Sequence, residues 1–250
     1  MRGNLVRHLA ALAGVALLAA GCLDSKAVLT VNPDGSATLE HTLYLKKQKD
    51  DKELKLEELK ANVEKGVSEL GEGVAVASVA AAEAREGWKG FKIVYSVADV
   101  SKLKVGYLPP IGAGKADEAD LMRFEFKGGA VPKLTIVRPP IKVGEDKEDA
   151  KEEENAQMAA AFEGAVLEFH LAVKGTILTT NAEHVNAAKN GLILFREDLG
   201  GLLKDKQALA TVKAMSKIKD AEVLRTKLKD PTVQKYVQMQ PEQSVIVTFK

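Results

Sequence analysis

The stretch KAVLTVNPDGSATLEHTLYLK, residues 26–46, decides the fold because it reads as two strands around a tight turn. Apolar and polar positions alternate on either side of residues 32–35, and a period of two is typical of a half-buried strand. Pro33 fixes φ and Gly35 tolerates a positive φ, so NPDG suits the turn. The sequence therefore predicts that a β-hairpin begins the folded part of the chain.

Helical spacing replaces the alternation over residues 50–70. The apolar residues of this stretch share one face: Leu56, Leu59, Val63, Val67 and Leu70. Such a face can pack on a sheet or lie on a bilayer. The many glutamates on the polar face disfavour anionic lipid, so we expect the helix to pack on the sheet. Gly71 and Gly73 are expected to end it.

Further strands are predicted along the rest of the chain. Residues 74–103 contain two extended runs joined near Glu86 and Gly87, and residues 121–140 form a hairpin across Gly128 and Gly129. Three later runs are also extended, at residues 167–173, 176–180 and 192–195, and residues 244–250 form a terminal strand. Residues 202–229 have helical spacing, which Asp230 and Pro231 interrupt.

These elements indicate an α+β fold, with mainly antiparallel sheets packed with two or three amphipathic helices. Residues 145–155 contain seven acids and two lysines, a composition typical of a solvated linker. We therefore predict an N-terminal α+β subdomain at residues 22–144, an acidic linker at 145–155 and a C-terminal α+β subdomain at 156–250.

The first 21 residues are predicted to be a signal peptide. Arg2 and Arg7 precede an apolar run at residues 9–20, which is too short to span a bilayer. The sequence Ala19-Ala20-Gly21-Cys22 resembles the lipobox of bacterial lipoproteins. That resemblance implies cleavage between Gly21 and Cys22, and acyl chains such as palmitate on Cys22. The alternative for this cysteine is a buried free thiol.

A lipid anchor on Cys22 implies an extracytoplasmic location in the bacterial cell envelope, with the membrane as a partner. Two or more acyl chains satisfy the requirement for stable attachment. Cys22 is the single cysteine of the sequence, so no intramolecular disulfide is expected. Residues 22–250 carry 34 basic and 35 acidic residues, without the basic cluster of a nucleic-acid-binding domain. No nucleic-acid partner is expected.

Residues with catalytic potential are few. Of the histidines beyond the signal, His41, His170 and His184 form no H-E-x-x-H motif, and His41 and His170 are expected to be surface or half-buried residues. Asp198 follows Glu197 before a helix and is interpreted as an N-cap. We predict no catalytic, cofactor-binding or metal-binding residues, and no enzymatic activity.

The order of these segments resembles that of uncharacterised bacterial envelope lipoproteins, including the mycobacterial LppM-type lipoproteins. The similar segments are NPDGSAT, GWKGFKIVYSVADVSKL, FEGAVLEFHLAVKGTILTTNAEHV and LFREDLGGLL. The resemblance implies an α+β domain, mainly of antiparallel strands, tethered to an envelope membrane. It implies no catalytic residues.

Two functional hypotheses follow. The first is a non-catalytic structural or protein-interaction module of the envelope, with an envelope protein as a possible partner. The second is a carrier of a lipid or another hydrophobic ligand, in an apolar cavity between the sheet and the helices. The residues expected to line such a cavity are Leu39, Phe91, Ile93, Phe169 and Leu171. An enzyme is the third reading, and it requires a buried cluster of His, Asp or Glu.

Overall fold

A computed structural model describes residues 23–46, 55–107, 109, 117–139, 162–215, 218 and 220–250. Its strands are β1 (Leu23–Val31), β2 (Ala37–Lys46), β3 (Val74–Ala81), β4 (Trp88–Val97), β5 (Arg123–Lys127), β6 (Lys133–Val137), β7 (Val166–Val173), β8 (Ile177–Thr180), β9 (Gly191–Asp198), β10 (Val237–Met239) and β11 (Ser244–Phe249). Its helices are α1 (Leu56–Gly66), α2 (Leu199–Lys204), α3 (Lys206–Met215), α4 (Ala221–Leu228) and α5 (Pro231–Gln234).

The larger sheet has seven strands in the order β10-β9-β7-β1-β2-β4-β3. The predicted first hairpin is present, because β1 and β2 are antiparallel and Gly35 has a φ of 88° in the turn. Every pair in this sheet is antiparallel except β1 with β7, which are parallel. β1 is therefore an interior strand, paired with β2 on one side and β7 on the other.

The smaller sheet has four antiparallel strands in the order β5-β6-β11-β8. Phe124 lies opposite Ile136 and Phe126 opposite Leu134, as the hairpin prediction requires. The predicted terminal strand is β11, which lies inside this sheet between β6 and β8.

One hydrophobic core joins the two sheets. Leu29 and Phe169 of the larger sheet and Leu134 and Phe249 of the smaller one belong to the same buried cluster. Leu59 of α1 is buried in this cluster too, so the apolar face of the predicted amphipathic helix packs on the sheet. The predicted α+β class with mainly antiparallel sheets is confirmed.

The helical segment of residues 202–229 is not one helix. Asp205 accepts hydrogen bonds from the N–H groups of Gln207 and Ala208, and Asp220 accepts them from Glu222 and Val223. Each aspartate therefore caps the start of a new helix, α3 or α4, and divides the predicted helical stretch. Asp230 likewise caps α5 by accepting from Thr232. Pro231 is the first residue of α5, a position where its missing N–H costs nothing.

Both sheets contain strands from both sides of the predicted linker. β1 precedes it in the chain and pairs with β7, which follows it. In the smaller sheet β6 precedes it and pairs with β11. Residues 145–155 lie outside the described residues, so the predicted linker stays a prediction. The flanking strands nevertheless share their hydrogen bonds and their core.

Candidate functional site

The predicted lipid attachment residue Cys22 and cleavage residue Gly21 lie outside the described residues, as do residues 1–20. The next residue, Leu23, is the first of β1 and is 6% exposed. Ser25 and the residues after it in β1 pair with both β2 and β7. The position next to Cys22 is therefore the start of an interior strand and not part of a loop.

A polar cluster lies on the outer face of the larger sheet, opposite the core. We call it the outer-face cluster, and its residues are Asp24, Lys26, Arg85, Glu168, His170 and Arg196. Glu168 is at its centre: one carboxylate oxygen lies 2.9 Å from His170 Nε2, and the other lies 3.1 Å from Arg196 Nε. Lys26 Nζ is 3.8 Å from Glu168. The hydrogen bond with His170 is the main cause that lowers the pKa of Glu168.

The second part of the outer-face cluster surrounds Arg85. Its guanidinium pairs with Asp24 and stacks over Trp88, 4.4 Å from the ring centroid. The centroid of the Tyr44 ring lies 5.6 Å from the guanidinium carbon of Arg85. Burial raises the pKa of Asp24, and the hydrogen bond from Arg85 opposes that rise. Trp88 is half-buried.

The outer-face cluster brings His170 and Glu168 together, as expected for residues two apart on one strand face. Cations and carboxylates alternate across β9, β7 and β1, from Arg196 through Glu168 to Lys26. Their charges are paired with one another, and no Ser or Thr hydroxyl hydrogen-bonds His170 among the residues described.

A Ser–His pair lies in the core on the opposite face of the same sheet. Ser25 Oγ is 2.8 Å from His41 Nε2, and each residue is 1% exposed. Burial lowers the pKa of His41 to about 4. Its other ring nitrogen, Nδ1, has no hydrogen-bond partner among the described residues.

The expectation that His41 is a surface or half-buried residue is therefore wrong. His41 follows the alternation of Leu39 and Leu43, which face the core. That alternation was the signal available in the sequence. A nucleophile and a base are adjacent here, but the core encloses both, so a substrate cannot reach them.

Glu197 and Asp198 have different environments at the end of β9. Asp198 Oδ1 accepts from the N–H of Gly201, which confirms the predicted N-cap of α2. Glu197 lies opposite Leu167 on β7 and Val237 on β10. Burial raises the pKa of its carboxyl to about 7. Sequence reasoning missed this group because Glu197 occupies a core-side position that is normally apolar.

The five residues expected to line a ligand cavity are all in the core. Their side chains are at most 1% exposed and belong to one cluster: Leu39, Phe91, Ile93, Phe169 and Leu171. An open groove of about 340 Å³ lies elsewhere, on the helices. Its lining consists of Gln207, Ala210, Thr211, Ala214, Met215, Ile218 and Lys227.

The described residues also bear on two other kinds of site, a metal centre and a membrane-spanning helix. Within these residues, no group of three or more His, Cys, Asp or Glu side chains is arranged to hold a metal ion. In the same part of the chain, no helix has the length and apolar character needed to cross a bilayer.

Comparison with known proteins gives a distant structural neighbour. No protein-family model matches the chain, and no curated protein matches it. The folded domain of Mycobacterium tuberculosis LppM, solved by NMR, is similar with a TM-score of 0.35 and 11% identity. The match covers 92% of this chain and 90% of that one. A distant similarity to LppM, as expected from the order of segments, is supported at this level.

Proposed function

We propose that this protein is an envelope lipoprotein, anchored by acyl chains on Cys22, whose two-sheet domain is a non-catalytic structural or protein-interaction module. The observation that carries the proposal is the start of β1 at Leu23, directly after Cys22. Acyl chains on that sulfur hold the domain at the bilayer surface without an intervening linker. Two or more chains on one residue make the attachment stable.

The outer-face cluster supports an interaction role. It combines charges of both signs with the half-buried aromatic rings of Tyr44 and Trp88. Aromatic side chains and arginine are enriched in protein interfaces, whose rims are polar. Asp24 belongs to this cluster and lies two residues from Cys22. We therefore infer that an envelope protein binds this face close to the membrane.

The non-catalytic character rests on where the candidate groups lie. The Ser25–His41 pair is enclosed by the core. In the outer-face cluster, His170 and Glu168 are engaged with each other and with Arg196. In the portion of the chain that is described, neither place combines an accessible nucleophile with a base.

The second candidate is a carrier of a lipid or another hydrophobic ligand. Core packing at Leu39, Phe91 and Phe169 favours the module over a carrier with its cavity at these positions. The open groove on α3 offers this alternative a different location. Native mass spectrometry of residues 23–250 distinguishes the two hypotheses. If the domain is a module, its measured mass equals the mass of the polypeptide. A discrete additional mass indicates retained lipid and favours the carrier.

Metabolic labelling tests the anchor. The full chain is expressed in bacteria with an alkyne fatty acid, and incorporation is read by fluorescence after coupling to an azide dye. We expect the wild type to be labelled and to fractionate with membranes, and Cys22→Ser to lose both properties.

A relocated thiol provides the matched control. Cys22→Ser/Ala84→Cys restores one cysteine at an exposed position of the domain. We expect it to stay unlabelled, because acylation requires the lipobox and not merely a thiol. Label on this double variant, or membrane-bound and labelled Cys22→Ser protein, contradicts the anchor.

A further inference from the structure

Four strands lie at sheet edges, and β3 differs from the other three. Edge strands present unpaired N–H and C=O groups, and proteins protect them by short length or by charged side chains. β10 has three residues and β8 has four, while β5 (RFEFK) alternates charged and aromatic residues. β3, VAVASVAA, has eight residues with no charge and no proline. Among the described residues, β3 is therefore the edge strand that neither short length nor charge protects.

Half of the backbone groups of β3 point away from the sheet. The N–H of Ala82 donates to Gly90, and the N–H of Ala98 donates to Gly73. Bonded pairs recur at every second residue of an antiparallel ladder, so Ala75, Ser78 and Ala80 are the residues of β3 that bond to β4. Apart from Ala77, the remaining residues direct their N–H and C=O groups outward: Val74, Val76, Val79 and Ala81.

A bulge makes this edge symmetric about its centre. Ala77 is the extra residue of β3, because the register with β4 shifts between Val76 and Ser78. A bulge changes which residues share a face. Val76 before it and Val79 after it are both half-buried on the core side, whereas Ala75 and Ala80 are both exposed on the outer side. Read from either end, β3 therefore presents core-side residues, outer-side residues and outward backbone groups in the same order.

We propose that β3 pairs antiparallel with β3 of a second copy of this chain, across a twofold axis between Ala77 and Ser78. In this register Val76 meets Val79 of the other copy, and Ala75 meets Ala80. Outward backbone groups then face outward backbone groups, and each face of one sheet continues into the same face of the other.

The uncharged edge identifies a second copy as the occupant. Two identical strands bring identical side chains close together, which is unfavourable when those side chains carry charge. β3 carries none, and its exposed side chains are alanines and a serine, which are small enough for close approach. A strand of another protein is the competing occupant, but the symmetry of β3 about its own centre is a property that only self-pairing uses.

A charge-swap series tests the pairing and its register. The dissociation constant of the full chain in detergent is measured by sedimentation equilibrium. Ala75→Lys/Ala80→Lys places lysines opposite each other twice, so we expect Kd to rise about tenfold or more. Ala75→Glu/Ala80→Lys places opposite charges at the same two contacts. We expect its Kd to return to within about threefold of the wild-type value.

A proline variant tests the role of the backbone. Ala81→Pro removes an N–H that points outward, which an edge strand tolerates, and deletes hydrogen bonds made only in the dimer. We expect Kd to rise about tenfold, with an unchanged far-UV spectrum. Leu178→Lys, at an exposed position of the β8 edge, is the control and is expected to leave Kd unchanged. If Ala81→Pro does not fold, the charge-swap series alone decides.

Three results overturn the proposal. The first is a wild-type chain that sediments as a monomer up to about 100 µM, a concentration at which association still corresponds to a weak complex. The second is an equal Kd for the Lys/Lys and Glu/Lys variants. The third comes from co-expression of Ala75→Cys and Ala80→Cys chains, which places cysteines on the β3 edge. A disulfide-linked product whose mass differs from that of two chains shows that another protein binds β3.

Discussion

His41 and Ser25 form a hydrogen bond inside the hydrophobic core, with Nε2 of the imidazole 2.8 Å from the hydroxyl oxygen. Each side chain is 1% exposed, and in the part of the chain that the structure describes the second ring nitrogen of His41 has no hydrogen-bond partner. A polar group enclosed in this way costs stability unless it is bonded. The pair therefore makes the stability of the larger sheet sensitive to mutation and to pH.

The first prediction concerns loss of the hydroxyl. Ser25→Ala leaves Nε2 of His41 buried without a partner, and we expect a loss of about 1–3 kcal/mol in the free energy of unfolding. Urea denaturation at pH 7 measures it. The double variant Ser25→Ala/His41→Leu removes both polar groups and is expected to recover most of that loss. A double variant as unstable as Ser25→Ala contradicts this account.

The second prediction concerns pH. Burial lowers the pKa of His41 to about 4, below its ordinary value of 6.5. Because the unfolded chain binds the proton at the higher pH, the contribution of His41 to stability is complete above pH 6.5 and is lost as pH falls towards 4. We expect the stability difference between wild type and His41→Leu to change over this range. A pH-independent difference in urea midpoints contradicts it.

Glu197 gives the third prediction, with the opposite sign. Its pKa is raised from 4.5 to about 7, so the folded chain holds a proton that the unfolded chain has released. The contribution of Glu197 to stability is therefore complete below pH 4.5 and is lost as pH rises through 7.

The matched variant is Glu197→Gln, which keeps the shape of the side chain and removes its titration. We expect it to gain about 1–3 kcal/mol over wild type between pH 5 and pH 8. Thermal melts of both proteins at pH 5 and at pH 8 measure this gain in stability. A variant that loses stability relative to wild type over the same interval shows that the half-buried carboxylate is better solvated than its raised pKa implies.

The fourth prediction concerns Gly71, where the chain leaves the helical segment for β3. Its φ is 115°, and an added Cβ would lie 2.0 Å from the carbonyl oxygen of Lys102. We expect Gly71→Ala to cost about 3 kcal/mol or more, because backbone must move as well as adopt a strained conformation. Gly87 is the control: its φ is 75°, but no atom of the described residues lies within 4 Å of an added Cβ. Gly87→Ala is expected to cost about 1 kcal/mol. If denaturant titrations give the same loss of unfolding free energy for Gly71→Ala and Gly87→Ala, the steric explanation is contradicted.

Local patterns predicted much of the fold. The β1–β2 and β5–β6 hairpins follow from alternation around turn residues such as Gly35, because their partners are adjacent in the chain. The division of residues 202–229 into short helices was missed, because Asp205 and Asp220 read equally well as solvated helical positions. Their capping role depends on the backbone turning there.

Candidate functional residues were harder to place. His170 was predicted to be a surface or half-buried residue, and it is half-buried and contacts Glu168 on the outer face of β7. Arg196 and Arg85 come from distant segments, so spacing gave no sign that they complete the outer-face cluster. The pairing of β1 with β7 is also long-range, and no local pattern encodes it.

The parallel pairing of β1 with β7 determines when the larger sheet can be completed during synthesis. β1, β2, β3 and β4 form one local unit, but β1 keeps an open side until β7, more than 130 residues later, has been synthesised. Contacts this distant in sequence form slowly, and the waiting strand is exposed to aggregation. The larger sheet of a nascent chain therefore cannot be completed until β7, in the C-terminal half, has been synthesised and pairs with β1. Truncation before β7 leaves an N-terminal sheet whose outer strands are β1 and β3, each with an unpaired edge. In the complete sheet β1 is paired on both sides.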